Sequence, residues 1–154
     1  MDMATQVWDA RALMLSTVAV GTDGSATASK AVEAAAEIAQ RFDAKLVLLS
    51  VFQKSPQPVA LGGQSIELQW ASSADARVRE MLHRTEQDLL DRKIECTTMI
   101  DEGDPADVLT RLAEECGADL LVIGNQGMHR RVLGSVPNSV THKASCSVYV
   151  VKTT

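Results

Sequence analysis

Aromatic side chains are nearly missing from this chain: they make up 3% of its 154 residues. A core of stacked rings is therefore excluded, and Ala, Val and Leu must build the interior, as they do where helices cover a parallel sheet. Paired cysteines are also missing. Cys96, Cys116 and Cys146 form no CxxC motif and have no histidine at ligand spacing. This pattern excludes a disulfide framework and a zinc knuckle, and reads as buried small hydrophobes in a reducing compartment. Positive charge is in deficit, with a formal net charge of -5. That argues against broad nucleic-acid binding and against docking on an anionic membrane. No apolar run reaches the roughly 20 residues needed to span a bilayer. The opening MDMATQVWDARALML lacks the basic start and apolar run of a signal peptide, so a cytoplasmic location is expected.

What is present is ordinary for a globular protein, 45% hydrophobic and 23% charged residues, arranged in a regular alternation. Short aliphatic runs occur at Ser16–Gly21, Ala44–Phe52, Ile94–Ile100, Asp119–Gly124 and Ser147–Lys152. Between them lie segments whose apolar residues recur at three- and four-residue steps, the spacing of one helix face. The first predicts a helix over Ala26–Phe42, with Ser25 as its N-cap. The second predicts a helix from about Ser73 to Arg92, and the third one over Ala106–Cys116, capped by Asp104, opened by Pro105 and closed by Gly117. A short fourth is expected at about Val136–Ala144. Gln53 to about Ser72, with Pro56, Pro58, Gly62 and Gly63, is expected to be a long loop.

Strands alternating with helices imply right-handed βαβ units. The expected fold is a single doubly wound, Rossmann-like α/β domain with a five-stranded parallel sheet and helices on both faces. It spans residues 16–154, preceded by an N-terminal extension of residues 1–15. Ligands of such sheets bind beyond the carboxyl ends of the strands, where strand order reverses. Two post-strand loops are specialised here: Gly21-Thr22-Asp23-Gly24-Ser25 and Gly124 to Ser135. If both face one crevice, the first and fourth strands are neighbours, which favours the order 3-2-1-4-5 over the flavodoxin-like 2-1-3-4-5, whose switch lies at strands one and three.

The second loop has the makings of a phosphate cradle. Gly124 and Gly127 permit a turn with positive φ and close backbone approach, Gly134 repeats this before the last helix, and Arg130 and Arg131 add positive charge. Ser135 stands where it would cap the following helix and turn free N–H groups toward an anion. The same glycines also serve as plain turn residues. Asp23 has two readings as well: an acceptor for a ribose or base, or an Asx-turn within TDGS. His83, His129 and His142 lack a nucleophile and an orienting carboxylate, and Ser135 has no evident base, so no catalytic residue is assigned.

The segment VIGNQGMHRRVLGSVPNSV, with VAVGTDGS near the start and CSVYVVK at the end, resembles the universal stress protein family over about Ser16 to Lys152. The family pattern is Gly-x2-Gly-x9-Gly-Ser/Thr, seen in its ATP-binding members. Here six residues, not nine, separate Gly127 from Gly134. The resemblance implies an adenine-nucleotide site of ATP or AMP type, with Mg²⁺ arriving on the phosphates. It would be made by Thr22 and Asp23 after the first strand, Val51 on the second, Ile123, Gly124, Gln126 and Gly127 at the end of the fourth, and Gly134, Ser135, Val136 and Pro137 at the start of the last helix. Pro137 stands where the family often has Thr, so a hydroxyl and a backbone donor are lost. The resemblance also implies a homodimer through the last strand, by way of Val148, Val150 and Val151, and a stress-response or signalling role without efficient catalysis. Two rivals are kept. One is a nucleotide-free dimeric interaction module of the same fold. The other is an adenine-nucleotide hydrolase, although a pyrophosphatase loop of the SGGxDS kind would need a doubled glycine where this chain reads GTDGS.

Overall fold

A computed structural model describes residues 14–53, 64–125 and 133–152. Five strands and four helices alternate: β1 (Thr17–Gly21), α1 (Ala26–Phe42), β2 (Lys45–Phe52), α2 (Gln64–Asp91), β3 (Cys96–Glu102), α3 (Pro105–Glu115), β4 (Leu120–Gly124), α4 (Ser135–Lys143) and β5 (Ser147–Val151). The strands form one parallel sheet in the order β3-β2-β1-β4-β5. The expected fold and strand order are what the structure has. The chain steps outward from β1 to β3, crosses through α3, and resumes on the other side of β1 at β4.

Strand alternation divides the interior in two. Val18, Val20, Leu46, Leu48 and Val122 face α1 and α2 together with Ala31, Ala35, Leu82 and Leu89. Ala19, Val47, Leu49, Leu121 and Ile123 face α3 and α4 with Val108, Leu112 and Val140. Because both faces are covered, successive strand residues are all apolar, which is why the strands read as unbroken aliphatic runs. Alanine along the inner face of α1 lets that helix sit close on the sheet.

Helix ends follow the chemistry expected of them. The Ser25 hydroxyl accepts from the Ala28 N–H at 3.1 Å, and the Asp104 carboxylate accepts from the Ala106 and Asp107 N–H groups. At the end of α3 the Gly117 N–H donates to Glu114 and the Ala118 N–H to Ala113, a Schellman closure. Two other helices end the same way with non-glycine residues in the left-handed region, Asp43 at φ 52 after α1 and Lys93 at φ 61 after α2.

Three expectations of the element bounds are corrected. The helix α2 begins at Gln64, not near Ser73. Gln64 to Ser72 contains neither Gly nor Pro and is built mostly of good helix formers. The remaining part of the expected loop, residues 54–63, lies outside the described residues, as does most of the N-terminal extension, residues 1–13. The strand β3 lies two residues later than its apolar run, because Ile94 closes α2 by donating its N–H to Leu89, while Asp101 and Glu102 pair with Val51 and Phe52. At α4, Gly134 occupies the N-cap and Ser135 is the first helical residue, with no side-chain cap bond.

Among the described residues, the strand β5 lies at the sheet edge, next to β4 alone. Of the three valines expected at a dimer interface, Val151 is buried among the side chains facing α1. Val148 and Val150 pack partly against the opposite cluster, and Tyr149 is exposed. No helix among the described residues is long and apolar enough to cross a membrane.

Candidate functional site

A cavity of about 300 Å³ opens at the carboxyl ends of β1 and β4, the point where the strand order reverses. Thr22, Asp23, Val51, Ile123, Gly124, Ser135, Val136 and Pro137 line it together. Gly134 adjoins this group as the α4 cap. Gln126 and Gly127 lie outside the described residues, as do His129, Arg130 and Arg131. Gly21 and Ser25, the ends of the first specialised loop, line it too, and four further lining residues were not anticipated: Thr27 and Ala28 from the start of α1, and Pro105 and Leu109 from α3. Their common signal is position. Each stands in or one turn beyond a post-strand loop on the crevice side of the sheet.

The β1–α1 loop is held by its own side chains. The Thr22 N–H donates to the Leu49 carbonyl at 2.9 Å, which continues the β1–β2 ladder. The Gly24 N–H donates to the Thr22 hydroxyl at 3.2 Å, and the Ser25 N–H donates to Asp23 Oδ1 at 2.9 Å. Asp23 thus makes an Asx-turn with one oxygen, and its other oxygen meets no donor among the described residues. The two readings of Asp23 are therefore compatible within one carboxylate. Gly24 has φ +77, and a Cβ there would stand 2.8 Å from Met81 Cγ, so α2 presses directly on the loop.

Of the two roles expected of Gly124, a positive-φ turn and a close backbone approach, the structure shows only the second. Its φ is not in the left-handed region. A Cβ at this position would lie 2.8 Å from Thr27 Cγ2 and 3.1 Å from the Thr27 carbonyl oxygen. Glycine is required because the end of β4 and the start of α1 nearly touch, not because the turn is left-handed. This contact brings both elements to the rim of one cavity.

The start of α4 closes the opposite rim. The Asn138 N–H donates to the Gly134 carbonyl and Pro137 has no N–H. The N–H groups of Ser135 and Val136 meet no acceptor among the described residues, so the helix presents two free donors, and the helix dipole adds partial positive charge. An ion pair of Lys143 with Asp107 ties α4 to the first turn of α3.

Ionisable chemistry is sparse among the described lining residues. Among the described lining residues Asp23 is the one titratable side chain. His83 and His142 are exposed on α2 and α4 away from it. The three thiols are free, and burial pushes each of them above the ordinary cysteine range, which disfavours the nucleophilic thiolate. No cluster of His, Cys, Asp and Glu suited to a metal occurs among the described residues.

Residues 14–152 match the profile of the Universal stress protein family. A universal stress protein of Mycobacterium tuberculosis is 35% identical over 144 residues, covering 90% of this chain and 97% of the relative. Among solved structures, a universal stress protein in complex with cAMP is 31% identical with TM-score 0.66, covering 92% of this chain and 99% of the other. The UspA universal stress protein of Lactobacillus plantarum is 25% identical with TM-score 0.74, covering 89% and 97%.

Proposed function

The chain belongs to the universal stress protein family, and from that premise we propose that it is an adenine-nucleotide-binding stress-response or signalling protein that works as a homodimer in the cytoplasm. The observation carrying this reading is the convergence of Thr22, Asp23, Val51, Ile123, Gly124, Ser135, Val136 and Pro137 on one cavity at the β1–β4 switch. Apolar walls from Val51, Leu109 and Ile123 suit a purine, the free oxygen of Asp23 suits a hydroxyl or amino group, and the two α4 donors suit a phosphate. The family resemblance adds Gln126 and Gly127 to the proposed site. The likeness to a family member solved with cAMP supports a nucleotide carrying a single phosphate. So does Pro137, which removes a third donor from the helix start. ATP remains within the reading, with Mg²⁺ brought by its phosphates. Efficient hydrolysis is not part of this proposal, which assigns Asp23 to a ligand hydroxyl or amino group and Ser135 to its phosphate.

Equilibrium dialysis against AMP, cAMP and ATP tests the site. Binding is expected at or below roughly millimolar concentration, the range of weak but specific sites. Asp23→Ala and Gly127→Glu are each expected to weaken it about tenfold or more, the scale of one lost charge-assisted bond or a blocked approach. If none of the three nucleotides binds, the nucleotide-free interaction module is the correct reading. Release of ADP at about 1 s⁻¹ or faster would instead support a hydrolase.

The dimer is proposed at the β5 edge. The Asn125 N–H donates to the Val151 carbonyl at 3.2 Å, so Val151 turns its peptide groups toward β4. By strand alternation Val148 and Val150 turn theirs outward, free to pair with a second β5. Tyr149, 44% exposed, adds apolar surface beside that edge. Sedimentation at roughly tens of micromolar protein, where interfaces of ordinary size associate, is expected to show a dimer. Val150→Pro, placing a residue without an N–H at the outward position, should give monomer. A wild-type chain that sediments as monomer throughout would refute the interface.

A further inference from the structure

In the apolar run Leu46-Val47-Leu48-Leu49-Ser50-Val51 of β2, one polar residue interrupts the pattern. Ser50 is 1% exposed, so its hydroxyl must find a partner inside the protein. It donates to the Thr22 carbonyl oxygen at 2.7 Å, a buried bond across 28 residues of sequence. Neither composition nor motif spacing singles this residue out, and it does not line the cavity.

The consequence lies in the peptide that Ser50 grips. The Thr22–Asp23 bond is trans and planar, so its N–H points opposite to its C=O. With the carbonyl turned inward onto Ser50, the Asp23 N–H faces the other way, and Asp23 lines the cavity. The neighbouring loop donors are already engaged: the Thr22 N–H by Leu49, the Gly24 N–H by the Thr22 hydroxyl, and the Ser25 N–H by Asp23. Between Thr22 and Ser25, the Asp23 N–H is the one backbone donor without an acceptor among the described residues.

We propose that Ser50 is a positioning residue for ligand binding: by holding the Thr22 carbonyl it fixes the peptide plane that presents the Asp23 N–H to an acceptor atom of the bound nucleoside. The inference rests on the nucleotide reading above. Without the hydroxyl the peptide is free to rotate, and the donor must be oriented at the moment of binding instead of beforehand.

The test combines titration calorimetry with amide NMR on the isotopically labelled full chain, using AMP and cAMP as probes. In the wild type the Asp23 amide resonance is expected to move on nucleotide addition. Ser50→Ala should weaken binding about tenfold, the scale of one oriented hydrogen bond, and reduce the Asp23 shift. Ser50→Thr, which keeps the hydroxyl, should restore most of the affinity. A melting curve for each variant separates lost folding from lost orientation. Nucleotide binding that leaves the wild-type Asp23 amide unmoved overturns the proposal without any variant. So does a folded Ser50→Ala of wild-type affinity, or a folded Ser50→Thr as weak as Ser50→Ala. In these cases the nucleotide reading survives; a wild type that binds neither probe overturns both.

Discussion

Leu48→Ala is expected to destabilise the protein by about 2–5 kcal/mol, the range for emptying a large buried aliphatic site. Leu48 is 0% exposed in the middle of β2, between β1 and β3, under α1 and α2. Its neighbours are anchored strand and helix residues, so the cavity left behind has little freedom to collapse. For a chain of this size, each kcal/mol corresponds to about 2–4 °C in melting temperature. Leu90→Ala is the matched control. Leu90 has the same side chain but is 50% exposed at the end of α2, and its replacement should change stability by about 0.5 kcal/mol or less. Chemical denaturation of both variants checks the pair. Equal midpoints for the two would show that the β2 interior is not packed as described.

Gly124→Val is the second, and it joins stability to the site. The new Cβ would sit 2.8 Å from Thr27 Cγ2 and 3.1 Å from the Thr27 carbonyl oxygen. The methyl has some freedom to move by rotation, but the carbonyl belongs to the first turn of α1 and moves only with the helix. Overpacking of this kind costs about 1–3 kcal/mol. Because Thr27 and Gly124 both line the cavity, forcing them apart should also lower nucleotide affinity by tenfold or more, the cost of about 1.4 kcal/mol. Adding Thr27→Ala removes the methyl clash and leaves the carbonyl clash, so it should recover part of the lost stability. A Gly124→Val protein that unfolds at the wild-type denaturant concentration would show that the close approach of β4 and α1 is not there.

Much of this architecture is legible in the sequence, for physical reasons that differ by element. The bounds of α1 are readable because an alanine-rich face, a serine cap and a clean start coincide. The strand order is readable because two specialised loops can share a crevice only if β1 and β4 are adjacent. What escapes the sequence is whatever depends on partners distant in the chain. The end of α2 claims Ile94, which by composition belongs equally to the strand run that follows. Val151 alternates into the interior because β5 is registered against β4 through Asn125. Ser135 has the hydroxyl expected of a cap, yet the helix starts one residue earlier than that role requires. Gly124 is recognisable as special, but only the position of Thr27 reveals why. Ser50 is the extreme case, since a single serine in a strand has no meaning until the carbonyl it meets is known.

The order of the strands also governs when, during folding, the cavity first exists. Its walls come from the β1–α1 loop, the end of β2, the start of α3, and the β4 and α4 segments near the other end of the chain. The partners of β1 and β2 are 28 residues apart and those of β2 and β3 are 50 apart, from Thr17 to Lys45 and from Leu46 to Cys96, whereas β1 reaches β4 only across about a hundred residues, where Asp119 takes the Ser16 and Thr17 N–H groups. Contacts of such long range close late, because the entropy of the intervening loop must be overcome before they are rewarded. A chain that has assembled only its first three strands has half a crevice and no binding site. Any ligand of the cavity therefore recognises the completed sheet alone. By mass action it pulls the equilibrium toward that state, so occupancy would act as a check on whether the last strands have docked.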